Sequence, residues 1–305
     1  MARRPVSVLL TICWLCALAA PLAAQDSKAD QQYQFARYLQ SDADFFRAIT
    51  ELKRFRFQYP EDPRARNVDF LIADCYYQAH RWKEALHAFQ EIETTSEGRK
   101  GTLARLRSAR CMIELEATGK AVEQLHALTF QTDSADTNTG SYSLMMTTLA
   151  VIRDKDVSRT KEMLTRLCQS NDNATAVAFG QASLMAVSKF EREPKKSPTK
   201  AVLLSTALPG AGQIYAGKRA DGLVAAASIL LFSALAADAS HSRRYGERDI
   251  FILFNAGQYL GNIYGARRAA KLHNRMEKER LFKALNDNLV STIDRLPMSS
   301  ELPCD

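Results

Sequence analysis

The sequence predicts an all-α protein, in which a helical-repeat solenoid is followed by a C-terminal transmembrane helical hairpin. Its 305 residues include only 13 glycines and 9 prolines, fewer than turn-rich all-β architectures use. The middle of the chain repeats itself, and the last third contains charge-free apolar runs. Hydrophobic residues make up 46% and charged residues 25%, a balance that excludes a wholly disordered chain and a polytopic transporter.

Residues 1–24 have the pattern of a secretory signal peptide. Arg3 and Arg4 precede an apolar stretch, and small residues lead to a cleavage position after Ala24. Cys13 and Cys16 lack the small preceding residues of a lipoprotein cleavage site, so we do not expect lipidation. An uncleaved membrane anchor is the alternative. In both cases we expect the rest of the chain in the envelope of a bacterium, with the repeats in the periplasm.

Four further cysteines fit no zinc-ribbon or C-x-x-C spacing; they are Cys75, Cys111, Cys168 and Cys304. Export permits disulfides, and their pairing is left open. We expect Cys75 and Cys111 to be small buried helix residues.

An internal repeat lies within a predicted domain at 25–190. The segment Ala73–Tyr77 (ADCYY) recurs 36 positions later as Ala109–Ile113 (ARCMI), and the same offset takes Ala85 to Ala121. A period near 34 residues predicts stacked helix pairs, with small residues where helices approach and large ones beside them. The signature positions are Ala48, Pro60, Ala73, Tyr76, Trp82, Ala85, Phe89 and Ala121.

This stretch resembles the tetratricopeptide repeat family. The string Tyr59-Pro60-Glu61-Asp62-Pro63, followed by ADCYY, is most similar to BamD-like and YbgF-like envelope proteins, over roughly Gln31 to Phe130. The resemblance implies a curved solenoid whose groove binds peptides or partner helices. We expect Tyr76 and Trp82 in the core, a weaker repeat over 141–172 and a capping helix over 174–190.

A linker at 191–200 and a membrane module at 201–270 follow. The linker EREPKKSPTK contains two prolines and four basic residues, which favours an extended hinge. Within the module we predict a re-entrant segment at 201–217, broken by Pro209-Gly210, and spans at 222–239 and 250–266. Each run is short for a span, so a soluble helical lobe remains the alternative, and a third crossing is left open.

Three glycines spaced by four favour close contact between two membrane helices; they are Gly257, Gly261 and Gly265. Each would otherwise cost about 1 kcal/mol relative to alanine in a soluble helix. Beside them lie Asn255, Gln258 and Asn262, which within a bilayer would seek partners inside a bundle. This face leaves homo-oligomer formation open.

The string P-G-x-G-Q-x-Y-x-G resembles a bacterial two-span membrane domain of unknown biochemical role. Its positions here are Pro209, Gly210, Gly212, Gln213, Tyr215 and Gly217. Tyr264-Gly265-Ala266-Arg267 and the later Asn274 are similar to the second span of that family. The resemblance covers about 200–275 and implies the module without implying a chemistry.

A basic amphipathic tail is predicted at 271–305. Between 243 and 283 the chain has ten basic and four acidic residues, nearly the whole net charge of +7. Anionic lipid headgroups are the expected partner of this patch, and we expect no nucleic acid because no recognition motif occurs.

No catalytic motif occurs in the sequence. The five histidines form no H-E-x-x-H pattern, G-x-S-x-G is absent, and Glu114 and Glu116 are expected to face different ways. We therefore expect no enzyme, cofactor or metal, but a membrane-anchored envelope scaffold that binds protein partners through its repeat groove. The alternative is an oligomeric membrane module with its own lipid-handling or pore activity, for which the repeats act as recruiter. A soluble helical protein is the third option.

Overall fold

A computed structural model describes residues 28–131, 137–170 and 173–295, and over these ranges the chain is helical with no strand. The all-α prediction is confirmed. The predicted signal peptide, Cys304 and the last residues of the predicted tail lie outside the described residues. The helices up to the linker are α1 (28–41), α2 (Phe45–Gln58), α3 (Val68–Gln78), α4 (Trp82–Thr95), α5 (Gly98–Glu114), α6 (Thr118–Gln131), α7 (Thr137–Arg153), α8 (Val157–Gln169) and α9 (Ala174–Arg192). They are followed by α10 (Pro198–Ala207), α11 (Ala211–Tyr215), α12 (Arg219–His241) and α13 (Tyr245–Asp294).

The chain divides into two compact units. Among the described residues, unit 1 runs from 28 to Gly180 and also includes 289–295, which contains the end of α13. Unit 2 is Gln181–Asn288. Within unit 1 each helix packs against the next one along the chain, from the pair α2 and α3 to the pair α7 and α8.

Four turns of unit 1 share one backbone geometry. Each places its second residue in the left-handed region, at φ between 55° and 62°, and these residues are Ala43, His80, Glu116 and Lys155. In three of these turns, the amide of the residue after the left-handed one donates to a carbonyl five residues back, as Arg81 does to Tyr76 at 2.9 Å. This bond closes a Schellman-type helix end. The turns recur at intervals of 36 to 39 residues, so the periodicity of the sequence is also a periodicity of the backbone.

The signature positions of the repeat lie in the core of unit 1. Ala48, Ala85 and Ala121 are completely buried, as are Ala73 and Phe89. Alanine at these positions lets neighbouring helices approach closely, and large side chains fill the space beside them. Two further signature residues, Tyr76 and Trp82, are partly buried and pack against this core, as is Tyr77. Pro60 follows the end of α2, where the missing amide hydrogen of proline removes no hydrogen bond from the helix.

The thiols of Cys75 and Cys111 are buried and free. Burial raises the pKa of each thiol to about 12, which keeps both neutral and unreactive at physiological pH. Cys168 is also free and partly exposed. The structure therefore bears out the expectation that Cys75 and Cys111 are small buried helix residues.

The C-terminal helices differ from the expected pattern. The apolar run at 250–266 and the predicted tail helix form a single helix of 50 residues, α13. Neither glycine nor proline occurs between 266 and 294, and the junction Arg267–Lys271 contains good helix formers, so nothing interrupts the helix there.

Among the described residues, α12 is the one helix long and apolar enough to cross a membrane. Only 11% of its most apolar window is buried. The second predicted span, at 250–266, does not meet the same criterion, because Asn255, Gln258 and Asn262 lower its hydropathy.

Candidate functional site

The P-G-x-G-Q string forms the buried centre of unit 2. Pro209 and Gly210 separate α10 from α11, and Gly210 adopts φ +85°, which a side chain would strain. The turn is fastened to α13, because the Gly210 amide donates to Oδ1 of Asn262 at 2.9 Å.

Three buried polar side chains complete this network. The Gln213 amide donates to the backbone oxygen of Asn262 at 2.9 Å and to its Oδ1 at 3.1 Å. Ser205 donates to Oε1 of Gln213 at 2.9 Å, and Asn262 donates back to the Ser205 carbonyl at 3.0 Å. All three side chains are at least 95% buried. A fully satisfied network of this kind fixes one arrangement of α10, α11 and α13.

The glycines of the string allow backbones to meet. A Cβ at Gly212 would lie 2.0 Å from the Ala201 carbonyl oxygen, and one at Gly210 would lie 2.0 Å from that of Gly222. Gly217 ends α11 at φ +85°. Close approach of two backbones or a left-handed conformation therefore accounts for each of these glycines, and no ligand is needed to explain them.

Tyr215 and Asn274 hold the linker in place. The Ser197 amide donates to the Tyr215 hydroxyl at 3.1 Å, and the ammonium groups of Lys196 and Lys200 lie 4.8 and 5.3 Å from the centre of the Tyr215 ring. Asn274 accepts from the backbone amide of Lys196 and donates to its carbonyl oxygen, both at 2.9 Å. The C-terminal part of the segment predicted as an extended hinge is thus bound to α11 and α13.

The three glycines of α13 do not make the expected contact with α12. Beside Gly257 and Gly261 a Cβ would meet open space, and beside Gly265 it would meet the Gln213 side chain at 3.3 Å. The two helices touch nearer their connecting turn, where Phe232 and Phe254 have ring centres 4.6 Å apart.

A mostly apolar cavity of about 860 Å³ therefore opens between α12 and α13; we call it the interhelical groove. Gln213 and Asn262 line it at the polar network. Its walls include Ala220, Asp221, Val224, Ala225, Ser228, Ile250, Leu253, Phe254, Gly257, Gln258 and Gly261.

Unit 1 contains a second cavity, of about 620 Å³, which we call the inner groove. Side chains from α1, α3, α5 and α7 line it, together with the end of α13. They are Tyr33, Arg37, Gln40, Ser41, Asn67, Phe70, Leu71, Asp74, Gln78, Arg107, Tyr142, Ile293 and Asp294.

Charged groups are buried beside the inner groove. Asp74 accepts from Gln40 at 3.1 Å and from Gln78 at 2.5 Å, and it lies 3.8 Å from Arg107. The guanidinium of Arg107 also lies over the Tyr77 ring, 4.6 Å from its centre. Both Asp74 and Arg107 keep only 8% of their surface exposed, so these charges are paired and stacked rather than hydrated.

Two turns beyond Arg107 on α5, Glu114 pairs with two arginines. It accepts from Arg110 at 3.0 Å and from Arg153 of α7 at 2.8 Å. The Arg110 side chain is only 6% exposed, yet its Nη1 has no hydrogen-bond partner. Sequence reasoning missed this cluster. The available signal was the composition of α5. Apolar and small residues occupy most positions from Leu103 to Ile113, which indicates a helix surrounded by other helices. Arginines within such a helix are expected to be buried.

Neither cavity presents a set of side chains with the geometry of a reaction centre. Within residues 28–131, 137–170 and 173–295, no three His, Cys, Asp or Glu side chains gather where a metal ion would bind. What the two cavities offer is binding: apolar walls with a polar end in unit 2, and a charged groove in unit 1.

Comparison of the chain with protein-family models, with curated proteins and with solved structures finds no match.

Proposed function

We propose that the chain is a membrane-anchored scaffold of the bacterial cell envelope, without enzymatic activity. Unit 1 is a tetratricopeptide-like array that binds protein partners through its inner groove from the periplasm. Unit 2 is the membrane module, with α12 as a span and the adjoining part of α13 as its companion helix. We further propose that the chain acts in the assembly of envelope or outer-membrane components, a role that the resemblance of the repeats to BamD-like and YbgF-like proteins implies.

The apolar surface of unit 2 is the observation that carries this proposal. On α12, Leu223, Leu230 and Leu231 each keep between 57% and 68% of their surface exposed. Facing residues of α13 are exposed in the same way, including Leu253 at 76%. An uncovered apolar surface of this extent is rare on a soluble monomer and typical of contact with lipid or protein.

The repeating backbone supports the assignment of unit 1. Helix pairs are joined by the same left-handed turn, and the same place in the second helix holds a buried alanine in three pairs and the buried Thr160 in the fourth. Such a pattern fits a tetratricopeptide-like array. Because the turns and the alanines recur together, the resemblance of the sequence rests on more than one feature.

Alkaline carbonate extraction of bacterial membranes tests the anchor. We expect the full-length chain to stay in the membrane pellet, and the double variant Leu230→Asp, Leu231→Asp to move largely to the supernatant. Each aspartate at the centre of a span costs about 3 kcal/mol of insertion free energy, and these exposed side chains contribute little to internal packing.

Phe57→Asp is the matched control, because Phe57 is 87% exposed on α2 of unit 1. This variant is expected to remain in the pellet. Release of the unmodified chain by carbonate would contradict the anchor, and so would retention of the double variant.

The interhelical groove favours a second candidate function, in which unit 2 handles lipid. Its 860 Å³ is open and mostly apolar, and Gln213 and Asn262 give it a polar end. The Gly257→Leu variant tests this function, because a side chain there enters open space. If unit 2 handles lipid, we expect photocrosslinking to a lipid with a labelled acyl chain to fall several-fold while membrane retention is unchanged. Unchanged crosslinking would exclude the groove as a lipid site.

A further inference from the structure

The inner groove already holds a segment of the chain itself. Residues 289–295 belong to unit 1, and Leu289 and Ile293 are buried there. Ile293 and Asp294 line the same cavity as Phe70, on α3 of the repeats. The last turn of α13 therefore lies in the surface that the proposed function assigns to protein partners.

The charges that line the groove favour an acidic occupant. Without Asp294, the lining contains two arginines, Arg37 and Arg107, and one carboxylate, Asp74. That carboxylate already accepts hydrogen bonds from two glutamines. Close by, Arg110 is paired with Glu114 but keeps a buried Nη1 without a hydrogen-bond partner. Without Asp294 the lining therefore carries one more cation than carboxylate, which favours a further carboxylate.

Asp294 affects the ionisation of Tyr77, as Arg107 and Arg110 do. Burial raises the pKa of Tyr77 to about 12, Arg110 and Arg107 oppose that rise, and Asp294 adds to it. The carboxylate of Asp294 and the two arginines therefore share one electrostatic environment around this phenol.

The end of α13 carries an unfavourable charge. An aspartate at a helix C-terminus opposes the helix dipole by about 0.3–1 kcal/mol, and Arg295, the next residue, offsets part of that effect. Asp294 is exposed to solvent, whereas Leu289 and Ile293 are buried. The last turn is therefore held mainly by these two aliphatic side chains.

We propose that the inner groove is a binding site for an acidic helical segment, that the last turn of α13 is its resident intramolecular ligand, and that a protein partner binds by displacing this turn with an aliphatic–acidic pair equivalent to Ile293-Asp294. The proposal rests on the proposed function of unit 1 as a partner-binding array. It adds the chemistry of the partner and a regulatory step, because the displaced turn ends the same uninterrupted helix that carries Asn262 and Asn274.

A labelled peptide of residues 285–295 (LNDNLVSTIDR) tests the proposal on the full-length chain in detergent. We expect the peptide to bind at least tenfold more tightly to the variant Asp294→Lys than to the unmodified chain, because the resident turn of the variant no longer competes. The same peptide with Asp294→Asn is expected to bind that variant at least tenfold more weakly. Hydrogen exchange of the chain's own 289–294 should rise when the peptide saturates the unmodified chain.

Arg107→Gln within the Asp294→Lys chain identifies the groove as the site. It should abolish peptide binding while helix content and melting temperature, measured in parallel, show that the chain is folded. Glu162→Gln, at an exposed ion pair of α8, is the matched control and should bind as before. Equal peptide affinity for the unmodified chain and Asp294→Lys would overturn the proposal, as would binding that survives Arg107→Gln.

The membrane experiment separates this proposal from the proposed function. If the chain stays in the membrane after carbonate extraction but the peptide does not displace its last turn, only the resident-ligand proposal is contradicted. If the peptide displaces the turn but carbonate releases the chain, only the membrane anchor is contradicted.

Discussion

Replacing Gly210 or Gly212 by alanine is expected to destabilise unit 2 by about 3 kcal/mol or more. A methyl group on Gly212 would lie 2.0 Å from the Ala201 carbonyl oxygen and 2.7 Å from Cβ of Ala266. A methyl group on Gly210 would meet the Gly222 carbonyl oxygen at 2.0 Å and would also strain a residue at φ +85°. Overpacking against backbone and left-handed strain each cost about 1–3 kcal/mol.

Thermal unfolding of the full-length chain in detergent, followed by circular dichroism and by tryptic cleavage near Lys218–Arg219, measures this effect. Gly261→Ala is the matched control. A Cβ there meets open space, and alanine favours the helix by about 1 kcal/mol. We expect this control to be neutral or stabilising. A loss of stability in Gly261→Ala as large as in Gly212→Ala would show that the outer glycines are packed too.

The second large effect is expected at Glu114. Glu114→Gln leaves the guanidinium groups of Arg110 and Arg153 without their shared carboxylate, and these side chains are only 6% and 25% exposed. Removing one partner of a buried ion pair costs about 3–5 kcal/mol, because an uncompensated charge remains in a medium of low polarity. Since Arg153 is partly exposed, we expect a loss of about 3 kcal/mol.

Urea unfolding followed by the fluorescence of Trp82, which lies in unit 1, measures this loss. Glu162→Gln removes an ion pair with Arg166 whose side chains are 58% and 50% exposed, and it should change stability by less than about 0.5 kcal/mol. Equal effects of the two substitutions would mean that the Glu114 cluster is hydrated.

The helix packing of unit 1 could be predicted from the sequence because it depends on the size of the side chains at positions that recur at a fixed interval. Ala85 and Ala121 are 36 residues apart, and both are completely buried. The partners of the buried charges could not be predicted. Arg153 reaches a carboxylate 39 positions earlier in the chain, and no local pattern specifies that distance. The sequence placed Glu114 and Glu116 on different faces, and in the structure Glu114 is in the cluster whereas Glu116 lies in an exposed turn.

The motif of unit 2 was recognisable, but its purpose was not. The expectation that the polar stripe would seek partners matches the bonds of Asn255 to Ser233 at 2.7 Å and of Asn262 to the Gly210 turn. The expected helix contact at Gly257 and Gly261 is wrong, because both positions are open, and the crowded glycines are Gly210 and Gly212. Spacing by four identifies a shared helix face, but not what lies against that face.

The left-handed turns have a consequence for heat tolerance. Each of the four repeat turns forces a side chain into a backbone region that costs an ordinary residue about 1 kcal/mol, and glycine would occupy it without strain. The affected residues are Ala43, His80, Glu116 and Lys155. These four turns are therefore where the backbone of unit 1 stores strain that lowers its heat tolerance, and none of these four residues lines the inner groove.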